Sequence, residues 1–434
     1  MSAWDGFVSV SEAMRQGSGQ VTLRGWVYRE RGSAKVKFVV LRDSSGIVQC
    51  VFERSRFENE WDVLDKLQIE SSLYVRGEIK EDKRAPSGFE VRAEEFLLVG
   101  AADKFPIQKD QSPEFLLDNR HLWLRSRKMT AVLKVRSAYI QARDAFFRKE
   151  GFFRFDSPIL QPNQCEGGST LFEVKYYKTK TYLAQTWQLY AEAGIFGLER
   201  IYNMGPTFRA EKSKTSRHLS EFWMGECEAA WWRLADAVAF AKKELKFCIE
   251  EVAKQCPEAL RFLGRDPDEL VRIARKEWPT ITYREALRLL KEKAGLDVPF
   301  GKDLRTVEED KLMEFFDTPV AVTHYPVEIM AFYKPPDPER PDEALCFDML
   351  APEGYGEIVG GSERSNDVED MKRRLERDGE DVTHYEWYFD LRRFGAVPHA
   401  GYGVGTERVV SWLCKLETIK DAIPFPRTML RWTP

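Results

Sequence analysis

Phe208-Arg209-Ala210-Glu211, the polar loop Lys212-Ser213-Lys214-Thr215-Ser216, and then Arg217-His218-Leu219-Ser220-Glu221-Phe222-Trp223-Met224-Gly225-Glu226-Cys227-Glu228 form the stretch on which the reading of this chain turns. Two arginines and a histidine flank a loop able to wrap an anion. A guanidinium presents a planar fork that pairs bidentately with phosphate oxygens, so the stretch is a candidate polyphosphate clamp. Phe222 stands where an aromatic ring could stack on a purine. An isolated R-x-E segment reads equally well as a surface ion-pair loop, so the clamp needs support from elsewhere in the chain.

Two further stretches supply it. Gly401-Tyr402-Gly403-Val404-Gly405-Thr406-Glu407-Arg408 has alternate glycines, which let a backbone approach a ligand closely. A dinucleotide fingerprint needs another glycine at position 406, which is Thr406, so a nicotinamide site fails on spacing. Arg408 is a second phosphate-fork candidate. Asp348 and Glu357, followed by Gly360-Gly361-Ser362 and Arg364, form the other stretch. Magnesium beside a polyphosphate takes a few carboxylates together with phosphate oxygens, which fits such a pair.

Around these motifs the chain reads as two units. Val21, Leu23, Gly25 and Val27 alternate with other residues. Runs at 36–41, 47–52, 73–79 and 89–98 follow, with turn signals at Ser44-Ser45-Gly46 and Pro86-Ser87-Gly88. Five short strands predict a small OB-type barrel over residues 1–100, either a nucleic-acid carrier or a plain structural barrel. Residues 101–128 read as a linker with Pro106 and Pro113. Val132, Val135, Tyr139, Ala142 and Phe146 then mark a long helix that Gly151 caps. Residues 129–434 form the second unit, with helices expected over about 231–320. The charged stretch Arg364–Gly379 reads as a helix with a solvated face. The whole is an α+β chain.

Composition narrows the class. Of the 434 residues, 43% are apolar and 31% charged, as in ordinary globular proteins. No apolar run approaches the ~20 residues of a membrane span, and the N-terminus lacks a secretory pattern. Net charge is −4, which argues against non-specific coating of nucleic acid but leaves room for a local basic face. Seven cysteines without a C-x-x-C pair, and only five histidines, argue against disulfide or zinc frameworks and for a reducing, cytoplasmic compartment.

Together the motifs resemble those of class II aminoacyl-tRNA synthetases, in the aspartyl/asparaginyl/lysyl subclass. The helix ending at Gly151, with Phe155-Asp156-Ser157-Pro158, resembles motif 1, which implies a homodimer. Phe208–Glu228 resembles motif 2. Gly401–Arg408, with Ile423-Pro424-Phe425-Pro426-Arg427, resembles motif 3. Gly25-Trp26-Val27 and the segment from Leu41 to Gln49 look like the subclass's anticodon barrel, in which Phe38 and Gln49 match positions that hold the central anticodon base. Phe38 fits a barrel-core position as well. The expected fold is therefore this barrel plus a catalytic domain built on an antiparallel sheet flanked by helices.

The resemblance implies ATP and Mg2+. Arg209, Glu211, Arg217, His218, Leu219, Phe222, Glu357, Gly405 and Arg408 would bind ATP, with Arg209 and Arg408 catalytic, and Asp348 and Glu357 would hold the metal. Glu166, Thr186, Gln188, Glu226, Gly361, Ser362 and Arg364 would hold the amino acid, with Ala184–Glu192 as the pocket strand. Ala191 stands where aspartyl members carry a lysine, and Glu226 where they carry an aspartate. A buried β-carboxylate would lose its cationic partner here, whereas a carboxamide could donate to Glu226. These two positions, with Tyr325–Tyr333, Leu350-Ala351-Pro352 and Asp390–Gly401, point to asparagine and tRNA(Asn), in an organisation closer to archaeal and eukaryotic members. Trp187, His324 and Lys420 depart from the usual residues. The rivals are an aspartyl enzyme that charges two tRNAs, an ammonia-dependent asparagine synthetase-like relative, which would lack the barrel, and a non-catalytic paralogue.

Overall fold

The computed structural model describes residues 5–162, 165, 170–212 and 217–434. The chain divides into two compact units, Met1–Asn119 and Arg120–Pro434.

In the first unit, helix α1 (Val10–Gln16) precedes strands β1 (Gly19–Gly32), β2 (Val36–Arg42) and β3 (Ile47–Glu53). Helix α2 (Trp61–Asp65), β4 (Ser72–Glu81), β5 (Phe89–Gly100) and α3 (Pro113–Asp118) follow. The strands close into a barrel in the order β1-β2-β3-β5-β4, with only β3 and β5 parallel. Alternation drives closure: Val21, Leu23, Val27, Val39, Leu41, Val48 and Cys50 all point into one buried cluster. The five expected strands are all present.

The second unit begins with α4 (Arg120–Trp123), α5 (Arg127–Lys149), β6 (Phe153–Arg154), β7 (Leu160–Gln161), β8 (Glu173–Tyr176), β9 (Thr179–Leu183) and α6 (Gln188–Leu198). The hairpin β10 (Arg200–Phe208) and β11 (Glu221–Ala230) leads into the helices α7 (Leu234–Gln255), α8 (Pro257–Phe262) and α9 (Pro267–Arg275). Then come β12 (Thr280–Thr282), α10 (Tyr283–Ala294), α11 (Thr306–Met313), β13 (Val320–Thr323), β14 (Cys346–Ala351) and β15 (Gly356–Glu363). The unit ends with α12 (Val368–Arg377), α13 (Glu386–Arg393), β16 (His399–Gly405) and α14 (Thr406–Leu413). Eight strands form one sheet in the order β12-β13-β14-β15-β16-β11-β10-β6, antiparallel except at its two edges. Helices α5 and α7 pack their apolar stripes on one face of it around Phe347, Tyr402 and Val404. The other face is left for the site.

Three expectations change. Residues 101–128 are not a plain linker: they carry α3 and α4, and Arg120 is buried, donating to the carbonyls of Pro424, Lys420 and Ile423. Ala184–Glu192 is not a strand, because α6 starts at Gln188. Its Leu, Ala and Glu residues favour helix, and Leu189, Glu192 and Ile195 are buried at helical spacing. Within Arg364–Gly379 a helix forms with the expected solvated face at Glu369, Arg373, Glu376 and Arg377, but Arg364, Met371, Arg374 and Leu375 are buried.

A pair of buried ion pairs ties α5 to the sheet. Arg143 donates to Glu244 at 2.7 Å, to the Asn203 carbonyl at 2.6 Å and to the Glu226 carbonyl at 3.2 Å. Tyr402 donates to the same Glu244 at 2.6 Å. Seven residues earlier on α5, Arg136 meets the buried Glu407 at 2.7 Å, and Glu407 accepts from the Trp223 N–H. Gly225 is required here, since a Cβ would lie 2.5 Å from Arg143 Nε. Breaking a buried pair strands a charge, so Arg143→Met is expected to cost about 3–5 kcal/mol in denaturant unfolding. Arg143→Met with Glu244→Gln should recover part of that loss, and a single variant as stable as the parent would contradict this account.

Candidate active site

The open face of the large sheet is set by strand parity. Met224, Glu226 and Glu228 of β11 stand opposite Gly405, Gly403 and Gly401 of β16. Gly360 and Ser362 of β15 pair with Gly403 and Gly401, and Asp348 of β14 pairs with Gly360. The alternate glycines of β16 make room for β11 side chains: a Cβ on Gly401 would lie 2.1 Å from Glu228 Oε2, and one on Gly403 would lie 2.5 Å from Met224 Cε. Gly361 was expected among the amino-acid contacts, yet its Cβ direction points to the core side, against Phe347 and Tyr402. It is Gly360 that faces the site. One step along a strand reverses the face, which explains the difference.

All nine residues expected to bind ATP line one open cleft: Arg209, Glu211, Arg217, His218, Leu219, Phe222, Glu357, Gly405 and Arg408. Arg209 lies over the Phe222 ring, with its guanidinium carbon 5.5 Å from the centroid. Leu219, Ile419 and Ile423 back that ring. Arg408 donates to the Glu357 carbonyl at 2.7 Å and to its carboxylate at 3.2 Å. His218 Nε2 is 3.5 Å from Glu211, and burial pushes its pKa down. Arg217 is held by Asp310 of α11 at 2.9 Å and by the Gly354 carbonyl. Helix α11 thus places Glu309 and Asp310 beside Arg217, residues that carry no motif signal. Burial and the nearby Glu357 raise Glu309 to about 7, against the pull of Arg408 and Arg217.

Asp348 and Glu357 lie on adjacent strands. A Cβ on Gly360 would be 3.1 Å from Glu357 Oε1 and 3.5 Å from Asp348 Oδ1, so both carboxylates approach one point. Burial, then the charge of Glu357, raises the Asp348 carboxyl well above the usual range. Two crowded carboxylates beside guanidinium forks are a hard-oxygen donor set of the kind that fits Mg2+ with phosphate oxygens.

Beyond Gly403 the face becomes a buried charged pocket. Glu226 accepts from the Thr186 hydroxyl and, at 3.0 Å, from the Trp187 N–H. Burial raises its carboxyl, while these two bonds and Arg364 pull it down. Arg364 pairs bidentately with Glu228, at 2.9 and 2.8 Å, and donates to Ser362 at 2.8 Å. Gln188 donates to Glu192 at 3.0 Å, and Ala191 is fully buried one residue earlier. Trp187 fills the wall behind, its indole N–H donating to the Phe155 carbonyl at 2.7 Å. Glu166 lies outside the described residues. Glu228 and Glu192 were not singled out from sequence: a lone glutamate gives no sign that it will be buried.

In the barrel, Phe38 is half-buried and lies outside the core cluster. Arg31 stacks on its ring at 5.2 Å and reaches Gln49 at 3.5 Å. Phe38 thus lies outside the barrel core beside Arg31, whereas Gln49 is buried and also donates to Glu90 at 3.3 Å. Among the described residues no helix is long and apolar enough to cross a membrane, and every cysteine is a free thiol.

Known proteins resemble this arrangement. Residues 112–429 match the family of class II tRNA synthetases (D, K and N), and residues 21–99 match the OB-fold nucleic acid binding domain. The asparagine–tRNA ligase of Thermoplasma acidophilum is 43% identical over 416 residues, which is 96% of each chain. That of Thermus thermophilus is 43% identical over 436 residues, covering 98% of this chain and all of its own. The crystal structure of asparaginyl-tRNA synthetase from Pyrococcus horikoshii with asparaginyl-adenylate superposes with a TM-score of 0.95 at 42% identity, over 99% of this chain and 100% of that one.

The fit between Gly401 and Glu228 can be tested directly. Gly401→Ala is expected to push Glu228 from Arg364 and lower stability by about 1–3 kcal/mol in thermal or denaturant unfolding. An unchanged midpoint would mean that the two strands can spread to admit a methyl group.

Proposed function

The chain belongs to the class II tRNA synthetases of the aspartate, lysine and asparagine group, and from that membership we infer how its site works. It is an asparagine–tRNA ligase: it activates asparagine with ATP as asparaginyl-adenylate and transfers the asparaginyl group to tRNA(Asn). The observation that carries the residue assignments is the convergence of three distant sequence motifs on one cleft and its adjoining charged pocket.

In the first step the asparagine α-carboxylate attacks the α-phosphorus in line, and pyrophosphate leaves. The substrate supplies its own nucleophile, so the protein's work is positioning and charge neutralisation. Arg209 bridges the attacking carboxylate and the α-phosphate. Arg217, His218 and Arg408 hold the outer phosphates, and Asp310 pre-sets the Arg217 fork. Adenine lies between the Phe222 ring and the Arg408 guanidinium, with Glu211 at its amino group. Asp348 and Glu357 would hold Mg2+, which when bound neutralises phosphate charge. Glu166 receives the α-ammonium. Arg364 donates to the side-chain oxygen and Glu226 accepts from the side-chain amide. Thr186, Gln188 and Ser362 fix those groups. In the second step a terminal ribose hydroxyl of the tRNA attacks the activated carbonyl.

Residues 1–100 bind the anticodon, residues 101–119 connect the two units, and the unit that begins at Arg120 carries the catalysis. The aromatic ring of Phe38 would stack on an unpaired base, with Gln49 and Arg31 beside it. The enzyme works as a homodimer. Apolar side chains just past α5 support this: Phe153, Ile159 and Leu160 are 56%, 44% and 41% exposed. Its unpaired thiols suit the reducing cytoplasm.

Arg209→Ala is expected to cut asparagine-dependent ATP–pyrophosphate exchange by about 10²–10³-fold while leaving the unfolding midpoint in place. Normal exchange in that variant would remove the clamp. Phe38→Ala should weaken tRNA charging by about 1–3 kcal/mol and leave exchange unaffected. Equal losses in both assays would return Phe38 to a structural role.

A further inference from the structure

Behind the pocket lies a set of charges that the reaction does not use. Glu192 of α6 is wholly buried and yet has five neighbours that favour its negative form. It accepts from Gln188 Nε2 at 3.0 Å, from the Tyr388 hydroxyl at 2.7 Å, from Arg392 Nη2, and from His399 Nε2 at 3.0 Å. Arg364 Nε stands 3.9 Å away. Burial alone would raise this carboxyl, but Arg392, His399 and Arg364 together hold it well below the usual range. His399 Nδ1 faces the Val397 carbonyl at 2.8 Å. Both ring nitrogens therefore face oxygen atoms, which holds the imidazole against Glu192.

The cluster closes on itself. Among the described residues two carboxylates, Glu192 and Glu228, meet two guanidiniums, those of Arg392 and Arg364, with the His399 ring beside Glu192. Glu192, Glu228 and His399 bring potential metal-ligand atoms within 4.8 Å of one another, but the two guanidiniums already supply positive charge there. A neutral carboxamide entering beside Arg364 leaves the balance intact. A carboxylate would add a negative charge beside Glu226 with no buried partner, which is costly in a medium of low polarity.

We propose that Glu192 is a specificity-determining positioning residue: its buried negative charge offsets the Arg392 guanidinium behind Arg364, so that the pocket rejects aspartate. It does not touch substrate. It acts through Arg364 and Gln188, and the inference rests on the placement of the amino-acid pocket proposed above. The wall that discriminates is then not only Ala191 and Glu226, which face the ligand, but also a carboxylate one layer further back.

The test is pyrophosphate exchange with asparagine and with aspartate for the full-length enzyme and three variants. Glu192→Gln keeps the shape and removes the charge. It should raise the aspartate-to-asparagine ratio of kcat/KM by about tenfold or more. Glu192→Asp keeps the charge and should stay within about threefold of the parent ratio. An unchanged ratio in Glu192→Gln, or equal shifts in both variants, would overturn the proposal. If Glu192→Gln fails to fold, Arg392→Gln removes one cation and retains an amide donor on the same side of Glu192. It should then weaken aspartate as a competitor of asparagine by about tenfold, and unaltered competition would overturn the charge balance. Arg364→Met serves as the control: loss of asparagine activation keeps the pocket placement, whereas normal activation would sink that placement rather than the role of Glu192.

Discussion

The bidentate pair between Arg364 and Glu228 is the contact on which the rest of the site depends. Both side chains are almost fully withdrawn from water, so neither charge is tolerable without the other. The pair joins the end of β15 to the middle of β11 across β16, and it can form only because Gly401 leaves the intervening strand bare. Ser362 holds the remaining side of the guanidinium. The glycine alternation of β16 therefore serves the protein's own side chains before it serves any ligand.

The same logic recurs on the opposite face. Arg143 and Arg136 leave the apolar stripe of α5 and reach Glu244 of α7 and Glu407 of α14 behind the sheet. Through Arg143 the helix holds the backbone of Glu226 and Asn203, and through Glu407 it holds Trp223. The strands that present the nucleotide cleft and the amino-acid pocket are clamped from behind by charges that would be costly to expose singly. A site that works by positioning requires such a rigid backing.

Much of this was legible in the sequence. The barrel strands followed from alternation, and the long helix before Gly151 followed from its stripe of Val132, Val135, Tyr139, Ala142 and Phe146. The nucleotide residues were legible because phosphate chemistry calls for arginine forks, and such forks recur at recognisable spacing. What escaped were pairings between distant residues of surface-like type: Arg143 with Glu244 is a contact across 101 positions, and Arg364 with Glu228 one across 136. Nothing local marks a glutamate as buried. Gly361, an amino-acid contact by the resemblance, has its Cβ direction toward the core because parity in a strand turns on a single residue, and the pocket strand that the resemblance implies over Ala184–Glu192 is helical from Gln188, in a run too short for periodicity to separate the two. Glu309 and Asp310 come from α11, a helix that carries no motif at all.

A pocket whose buried charges already cancel selects against any ligand that brings another. For this chain, exchange of labelled pyrophosphate into ATP should run with asparagine and be weaker with aspartate, by about a hundredfold or more in kcat/KM at neutral pH. Comparable exchange with the two amino acids in the unaltered enzyme would contradict the account.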